Sequence, residues 1–391
     1  MKKIPLILSA AFIASMGWTE SVLKPLNDLG YGTFSGRIQS LSMYRDFENT
    51  GNGANSTLGL VLGYTSPEFA GFDAGLAYNY AGEWLDNNNT GLLANDGIHL
   101  LNEGWFRYNF GGLNLSNTTV LVGRKINNGE VFRADDFRQK ARSIEAVQFE
   151  SSDHANHHYV VGHALRMSNW VQAGDRWDFN DFGDVFGADD DTDGVTWGEA
   201  VSSSIQGLEV ALFDAYAWDV ANLVGARAKW EMTPESALLG YYRHEGDVGK
   251  SVSCKADVFG LSLQQKVGAV TLEPGLFSVH GGDLRFNELT TGINHALGAS
   301  MMIYAQQFNG GADTVYLKAS SKVGKTTLYG LYNYTWQGKK SFDGQELNLV
   351  VKQQIVENLS VAVKGGVGYR NVKNGNNTTA TDARLFLTYT F

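Results

Sequence analysis

The sequence predicts an all-β fold, a transmembrane antiparallel β-barrel of eighteen strands with long external loops and short periplasmic turns. Three observations predict it: the C-terminal segment, the recurrence of alternating segments along the chain, and the N-terminal leader. Residues 382–391 end on Phe391. Leu385, Leu387, Tyr389 and Phe391 share one apolar face, and Arg384, Thr388 and Thr390 lie on the other with Phe386 among them. A period of two is that of a strand with one apolar and one wet face. An aromatic-ended final strand of this kind fits the closing strand of an outer-membrane barrel.

The chain begins Met1-Lys2-Lys3 and then runs apolar from Ile4 to Met16, with small residues at Ser15 and Gly17. That is the pattern of a secretory signal peptide, placed at residues 1–17, and the run is shorter than the roughly 20 apolar residues of a spanning helix. Residues 18–391 then form one barrel domain. Mean hydropathy is −0.20, which alternating strands produce without being soluble. The 46 Gly and 17 Tyr against 5 Pro suit crowded turns and a membrane interface. Cys254 is the single cysteine, so no internal disulfide framework exists, and the net charge of −10 argues against nucleic acid as a partner.

Alternating segments recur about 19 times between Thr33 and Phe391. Single-chain bacterial barrels have an even strand number with both ends on the periplasmic side. Working back from Phe391 and forward from Gly32, the Leu297 to Phe308 segment is the one left over and belongs to a long external loop. Eighteen strands enclose an aqueous channel instead of a packed core.

Facing follows from the same alternation. Arg384 lies opposite Leu385, Leu387 and Tyr389 in parity, so it points into the barrel. The same reasoning sends Lys364 and Arg370 inward behind Val361, Val363, Val367 and Tyr369. Lys352, Lys318 and Arg37 follow on their own strands. A cation on the lipid face costs about 2–4 kcal/mol near the midplane. One wall of an acidic protein therefore carries a run of cations that guides an anionic solute, or that simply solvates the pore. Arg107 and Arg227 extend it elsewhere. The third external loop, residues 126–142, contributes Glu130, Asp135, Asp136 and Arg138 as a candidate constriction, and acids there facing the cations would set up a transverse field.

Three motifs point elsewhere. Asp189 to Gly194 matches the start of a calcium loop, but its twelfth position is Ala200. His154, His157 and His158 cluster in a periplasmic turn, where a polar turn is expected over a metal site. No Gly-x-Ser-x-Gly elbow occurs, and His163, His244, His280 and His295 lack serine partners evident in the sequence. The expectation is therefore no catalytic residues, no metal and no cofactor.

Three stretches of the chain resemble the OprD-type outer-membrane porins, a family of substrate-selective channels. The first is Tyr44-Arg45-Asp46-Phe47 with Ala54 to Tyr64 and Phe72 to Gly82. The second runs from Leu101-Asn102-Glu103 to Tyr108, through Val122-Gly123-Arg124 and Asp135-Asp136-Phe137-Arg138, to Ile144-Glu145-Ala146-Val147. The third is Tyr241-Tyr242-Arg243 with Gly246 and Val279 to Asp283. The C-terminal half departs more. The resemblance implies an 18-stranded monomeric or loosely trimeric channel, an inward-folded third loop and a basic ladder. Small-molecule solutes, outer-membrane lipid and the barrel-assembly machinery, through the C-terminal strand, are the partners expected. Carboxylate-bearing or zwitterionic nutrients are the expected cargo; the alternatives are oligosaccharides sliding over rings such as Trp105, or a barrel enzyme or adhesin.

Overall fold

Alternation of apolar and polar residues, repeated around the chain, leaves each strand with one face suited to hydrocarbon and one suited to water. The computed structural model describes residues 23–48, 51–85, 97–134, 138–169, 179–188, 192–249, 255–286, 303, 306–338, 342–372 and 375–391. Residues 1–17, expected to be a signal peptide, and Cys254, His295, Asp135, Asp136 and the Asp189 to Asp191 run lie outside the described residues.

The strands are β1 (Thr33–Phe47), β2 (Gly51–Thr65), β3 (Phe72–Leu85), β4 (Ile98–Asn109), β5 (Thr118–Lys125) and β6 (Ser143–Ser151). They continue as β7 (His157–Ser168), β8 (Val195–Ile205), β9 (Leu208–Ala217), β10 (Ala221–Thr233), β11 (Ser236–Asp247) and β12 (Lys255–Val267). The last six are β13 (Val270–Gly281), β14 (Ala312–Val323), β15 (Thr326–Gln337), β16 (Phe342–Val356), β17 (Leu359–Val372) and β18 (Thr378–Thr390). Each pairs antiparallel with its neighbours in sequence, and β1 pairs with β18, so the sheet closes with eighteen barrel strands. A further two-residue strand, Asn180–Asp181, pairs with β7 from within a loop. Of the Leu297 to Phe308 segment, assigned to a loop by the sequence, the described residues Ile303 and Gln306–Phe308 lie in the connection between β13 and β14.

The β1–β18 seam runs from Phe47 and Ala380 to Arg37 and Thr390, and the last residue extends it by one more pair. Gly36 N donates to Phe391 O at 2.7 Å and Phe391 N to Gly36 O at 2.9 Å. The Phe391 ring lies where a Cβ on Gly36 would be, and it stacks on Tyr389 at 5.7 Å. Tyr389 faces outward as its parity requires, yet it is only 1% exposed because Leu359, Leu387 and Phe391 cover it.

Connections alternate between short turns at the end holding both termini and longer loops at the other. The loops are unequal: 48–50 and 218–220 are tight, whereas 126–142, 169–194 and 282–311 are long. Several strands run further toward the loop end than alternation predicts, β16 from Phe342 and β18 from Thr378. There the outward positions become Asp343, Gln345, Thr379 and Thr381, so the hydrophobic signal lapses while the hydrogen-bond ladder goes on.

Outward residues such as Leu62, Phe106, Val161, Leu276, Leu349 and Val363 are about half exposed or more, forming an apolar belt. The interior corrects one expectation. The lumen is not lined by water alone, because the three long loops send Val131, Phe132, Phe182, Phe186, Leu284, Phe286 and Phe308 inward. These pack on the wall residues Trp197, Phe213, Tyr241 and Phe277, with Phe132 edge-on to Trp197 at 5.0 Å and Phe186 edge-on to Phe286 at 5.1 Å. Fully burying such a ring is worth about 1.5–3 kcal/mol, so a loop that folds into the lumen gains a core there.

Removing Phe391, or replacing Gly36 with Leu to displace its ring, is expected to slow barrel closure. Unboiled gel migration over a refolding time course measures this. Both variants should accumulate the compact form more slowly than the parent; parental kinetics for both would contradict the closure described.

Candidate functional site

The lumen is the concave feature to which the charged residues converge, and the loop 126–142 organises it. The loop leaves β5 and first meets β8 and β10, three and five strands further along the wall. Glu199, on β8, is 6% exposed and accepts from the backbone N–H of Glu130 at 2.7 Å and of Val131 at 2.8 Å. A Cβ on Gly129 would overlap this carboxylate, so any larger residue there would have to push Glu199 off the loop amides. Arg227, on β10, holds Glu130 at 2.6 Å with one arm and Glu209 at 2.9 Å with another.

The same loop then reaches β1 and β2, half-way round the barrel. Gln139 is 3% exposed and its amide donates to Thr57 Oγ1 at 2.7 Å. Gln39 Nε2 donates to the carbonyl of Arg138 at 2.8 Å, and Arg37 Nη2 to that of Gln139 at 2.9 Å. Lys140, fully buried, donates to Ser168 Oγ at 2.6 Å where the loop returns to the wall. The segment therefore spans the lumen and is pinned at both ends. The sibling loop 282–311 is held similarly: Glu245 accepts from the N–H groups of Arg285 and Phe286, and Glu346 accepts from Ile303 N–H at 2.9 Å.

The cations expected inside all have inward parity in the observed register. Their environments differ. Lys352 is exposed to the lumen, Lys364 lies 4.7 Å over the Phe386 ring, and Arg370 lies 4.5 Å over Phe342. Arg384 is engaged by Asp382 on its own strand at 2.7 and 2.8 Å, and Arg45 reaches the same carboxylate at 2.6 Å. Lys318 departs from the expected ladder: it meets Glu273 at 2.5 Å, and Glu273 also receives Gln264 at 2.8 Å. Its charge is cancelled locally.

The transverse-field expectation changes likewise. Glu130 faces Arg227, not the basic wall, because the loop's N-terminal end docks on β8 and β10. What the loop brings to the basic wall is Arg138, whose guanidinium is pushed down to about 9 by burial and by Arg45 and Arg384, with Asp382 opposing. It stays protonated at neutral pH. Arg107 and Arg227 also face inward, paired with Asp73 and with Glu130 and Glu209. Sequence reasoning missed Glu199, Glu245, Glu346, Gln39 and Gln139. The first three have inward parity, a signal available in the sequence, but which inward acid grips a loop depends on where the loop lands.

In the folded protein His280 meets a serine that the sequence did not make evident: Ser278 Oγ lies 3.1 Å from its Nε2 and donates to Asp313. Both residues sit within β13, whose neighbouring backbone groups are paired in the ladder with β12 and β14. Hydrolysis would need donors for an oxyanion as well, and the ladder uses the nearby ones. The turn histidines are engaged by hydroxyls, His158 by Ser152 at 2.8 Å and His157 by Ser204 at 2.9 Å. Trp105 faces the lumen but is 8% exposed, packed over Gly75 with Arg107 and Lys125 against its ring.

No family model and no curated protein matches the chain. Solved structures do. Pseudomonas aeruginosa OpdO superposes with a TM-score of 0.76 at 14% identity, covering 92% of this chain and 97% of that one. Acinetobacter baumannii OccAB4 gives 0.73 at 15% identity over 92% and 97%. A BenF-like porin from Pseudomonas fluorescens Pf-5 gives 0.75 at 15% identity over 92% and 98%. The chain has the fold of an OprD-type porin. At this identity the OprD-type likeness extends to strand number and closure, and the chemistry of the lumen is this chain's own.

Replacing Glu199 with Ala leaves two buried amides without an acceptor, at about 1–3 kcal/mol each. The displaced-loop population should rise roughly tenfold or more, seen as frequent larger openings in single-channel records. Glu199→Gln, which keeps one acceptor oxygen, should fall between. Unchanged conductance in a folded Glu199→Ala protein would refute the pinning.

Proposed function

We propose that the chain is an outer-membrane porin: a channel for passive diffusion of small solutes, with carboxylate-bearing or zwitterionic nutrients guided along a basic lumen wall. The observation that carries this reading is where the lumen's acids are spent. Glu130 is held by Arg227, Glu199 by loop amides and Glu273 by Lys318. On the β16–β1 wall, Asp382 is matched by Arg45 and Arg384, while Lys352 and Arg370 have no ion pair among the described residues. Arg37, Lys364 and Arg138 add to the same side. A protein of net charge −10 thus presents a cationic strip where the loop narrows the lumen.

The apolar belt supports a membrane location, and on this reading a leader at residues 1–17 and the Phe391-ended strand deliver the barrel to the outer membrane through the barrel-assembly machinery. Each barrel encloses its own path, so a monomer suffices and a loose homotrimer would only multiply it. Asp135, Asp136 and Arg138 belong to the loop that sets the passage. The covered position of Trp105 removes that ring as a sliding surface for the oligosaccharide alternative.

Converting Lys352, Lys364 and Arg370 together to Gln tests the reading in proteoliposomes. A field focused in a narrow passage changes entry by tenfold or more, so small-carboxylate flux at low salt should fall by roughly that factor and neutral-sugar flux should hold. High salt should shrink the difference as the Debye length drops below about 8 Å. Equal losses for both solutes would leave the strip as solvation alone.

A further inference from the structure

The two loops that enter the lumen treat their buried amides differently. In loop 126–142, Gln139 donates to Thr57 Oγ1, and Gln39 of the wall donates to the Arg138 carbonyl. The connection 282–311 carries a short helical turn, Gln306–Phe308, just before β14. Gln306 and Gln307 on this turn, and Asn333 and Gln337 on β15, are each 2% exposed or less. Among the described residues, neither polar atom of the Gln306, Gln307 or Asn333 amide has a hydrogen-bond partner. Gln337 donates to the Gly310 carbonyl, but its Oε1 accepts from no described residue.

The register gathers these groups into one patch. The Gln306 amide lies against Gly344 of β16, where a Cβ would overlap it. Gly344 pairs with Thr335 on β15, so Asn333 and Gln337 sit one inward step to either side. Its partner on β17 is Arg370, whose Nε is also buried without a hydrogen-bond partner. The turn therefore covers the loop-side end of the cationic strip with amides that the protein leaves unsatisfied. Its other end is what holds it. Phe308 packs edge-on to Phe277 at 6.0 Å, Gly310 N–H donates to Asp283 Oδ1 at 2.7 Å, and Gly311 N–H donates to the Val279 carbonyl at 2.8 Å.

A buried polar atom without a partner carries its desolvation penalty in full, and hydration removes it. The amide end thus favours release of the turn, and the apolar end favours docking. We propose that the Gln306–Phe308 turn is a second gate of the channel, separate from the pinned loop 126–142, held shut through Phe308 and opened by hydration of the Gln306, Gln307 and Asn333 amides. Its open form uncovers Arg370 and sets uncharged donors and acceptors beside it. The proposal rests on the channel reading above.

Single-channel records test it through the sign of the effect. Replacing a buried amide that has partners loosens a loop, whereas replacing one without partners tightens it. Gln306→Met, Gln307→Met and Asn333→Leu keep the side-chain shape and should each make brief larger openings about tenfold rarer. Phe308→Ala removes the apolar hold and should make them at least about tenfold commoner. Heat-modifiable migration checks that each barrel has folded. Combining Gln307→Met with Glu199→Ala should leave the extra openings of the Glu199 variant in place, since those come from the other loop. Openings that stay at parental frequency or rise in the folded Met and Leu variants would overturn the gate, as would a Phe308→Ala channel that opens no more often than the parent. A parent that forms no channel at all would overturn the channel reading beneath it.

Discussion

A carboxylate accepting two backbone N–H groups is the interaction on which the rest of this structure depends. A barrel of eighteen strands has no core of its own: its inner faces are too far apart to pack against each other. The long loops fill that space, and their backbone must find acceptors once it leaves water. Glu199 supplies them for the loop 126–142, and Glu245 and Glu346 for the loop 282–311. Around these anchors the aromatic cluster of Phe132, Phe182, Phe186 and Phe286 excludes water and strengthens the hydrogen bonds it covers. Polar anchor and apolar filling are thus one device.

Anchoring has an electrostatic consequence. Every acid that grips a loop or answers an arginine on the β8–β14 side is removed from the path, since its charge is met within a few ångströms. On the β16–β1 wall Lys352 and Arg370 have no ion pair among the described residues, and the loop brings Arg138 to the same side. Its guanidinium, pushed down to about 9 by burial and by Arg45 and Arg384, reports the same crowding of positive charge from the loop's side.

Much of this was legible in the chain. Period-two alternation located all eighteen strands, and parity of loop lengths removed Leu297 to Phe308. Facing put Lys352, Lys364, Arg370, Arg384, Arg37 and Lys318 inside, because lipid punishes a misplaced cation. What alternation could not carry was anything set by a partner strand or a loop landing. Lys318 looks like Lys352 until Glu273 is found beside it across the β13–β14 pair. Glu130 looks like a counter-charge to the basic wall until Gly129 lets its backbone close on Glu199, half a barrel away. The packed lumen was invisible for the same reason: Phe182, Phe186 and Phe286 carry no strand period, and only the folded loops bring them together.

Whether the loop 126–142 spans the lumen of the protein in its membrane is the central claim, and proximity across that span tests it most directly. In a Cys254→Ala background, Gln39→Cys and Gln139→Cys would place thiols at the two side chains that meet at 3.3 Å. A short bifunctional thiol reagent applied to outer-membrane fragments should join them within one chain, giving a species of altered migration, with channel conductance close to that of the untreated protein. Failure to crosslink, when each single-cysteine protein is shown to react with a monofunctional reagent, would contradict the account.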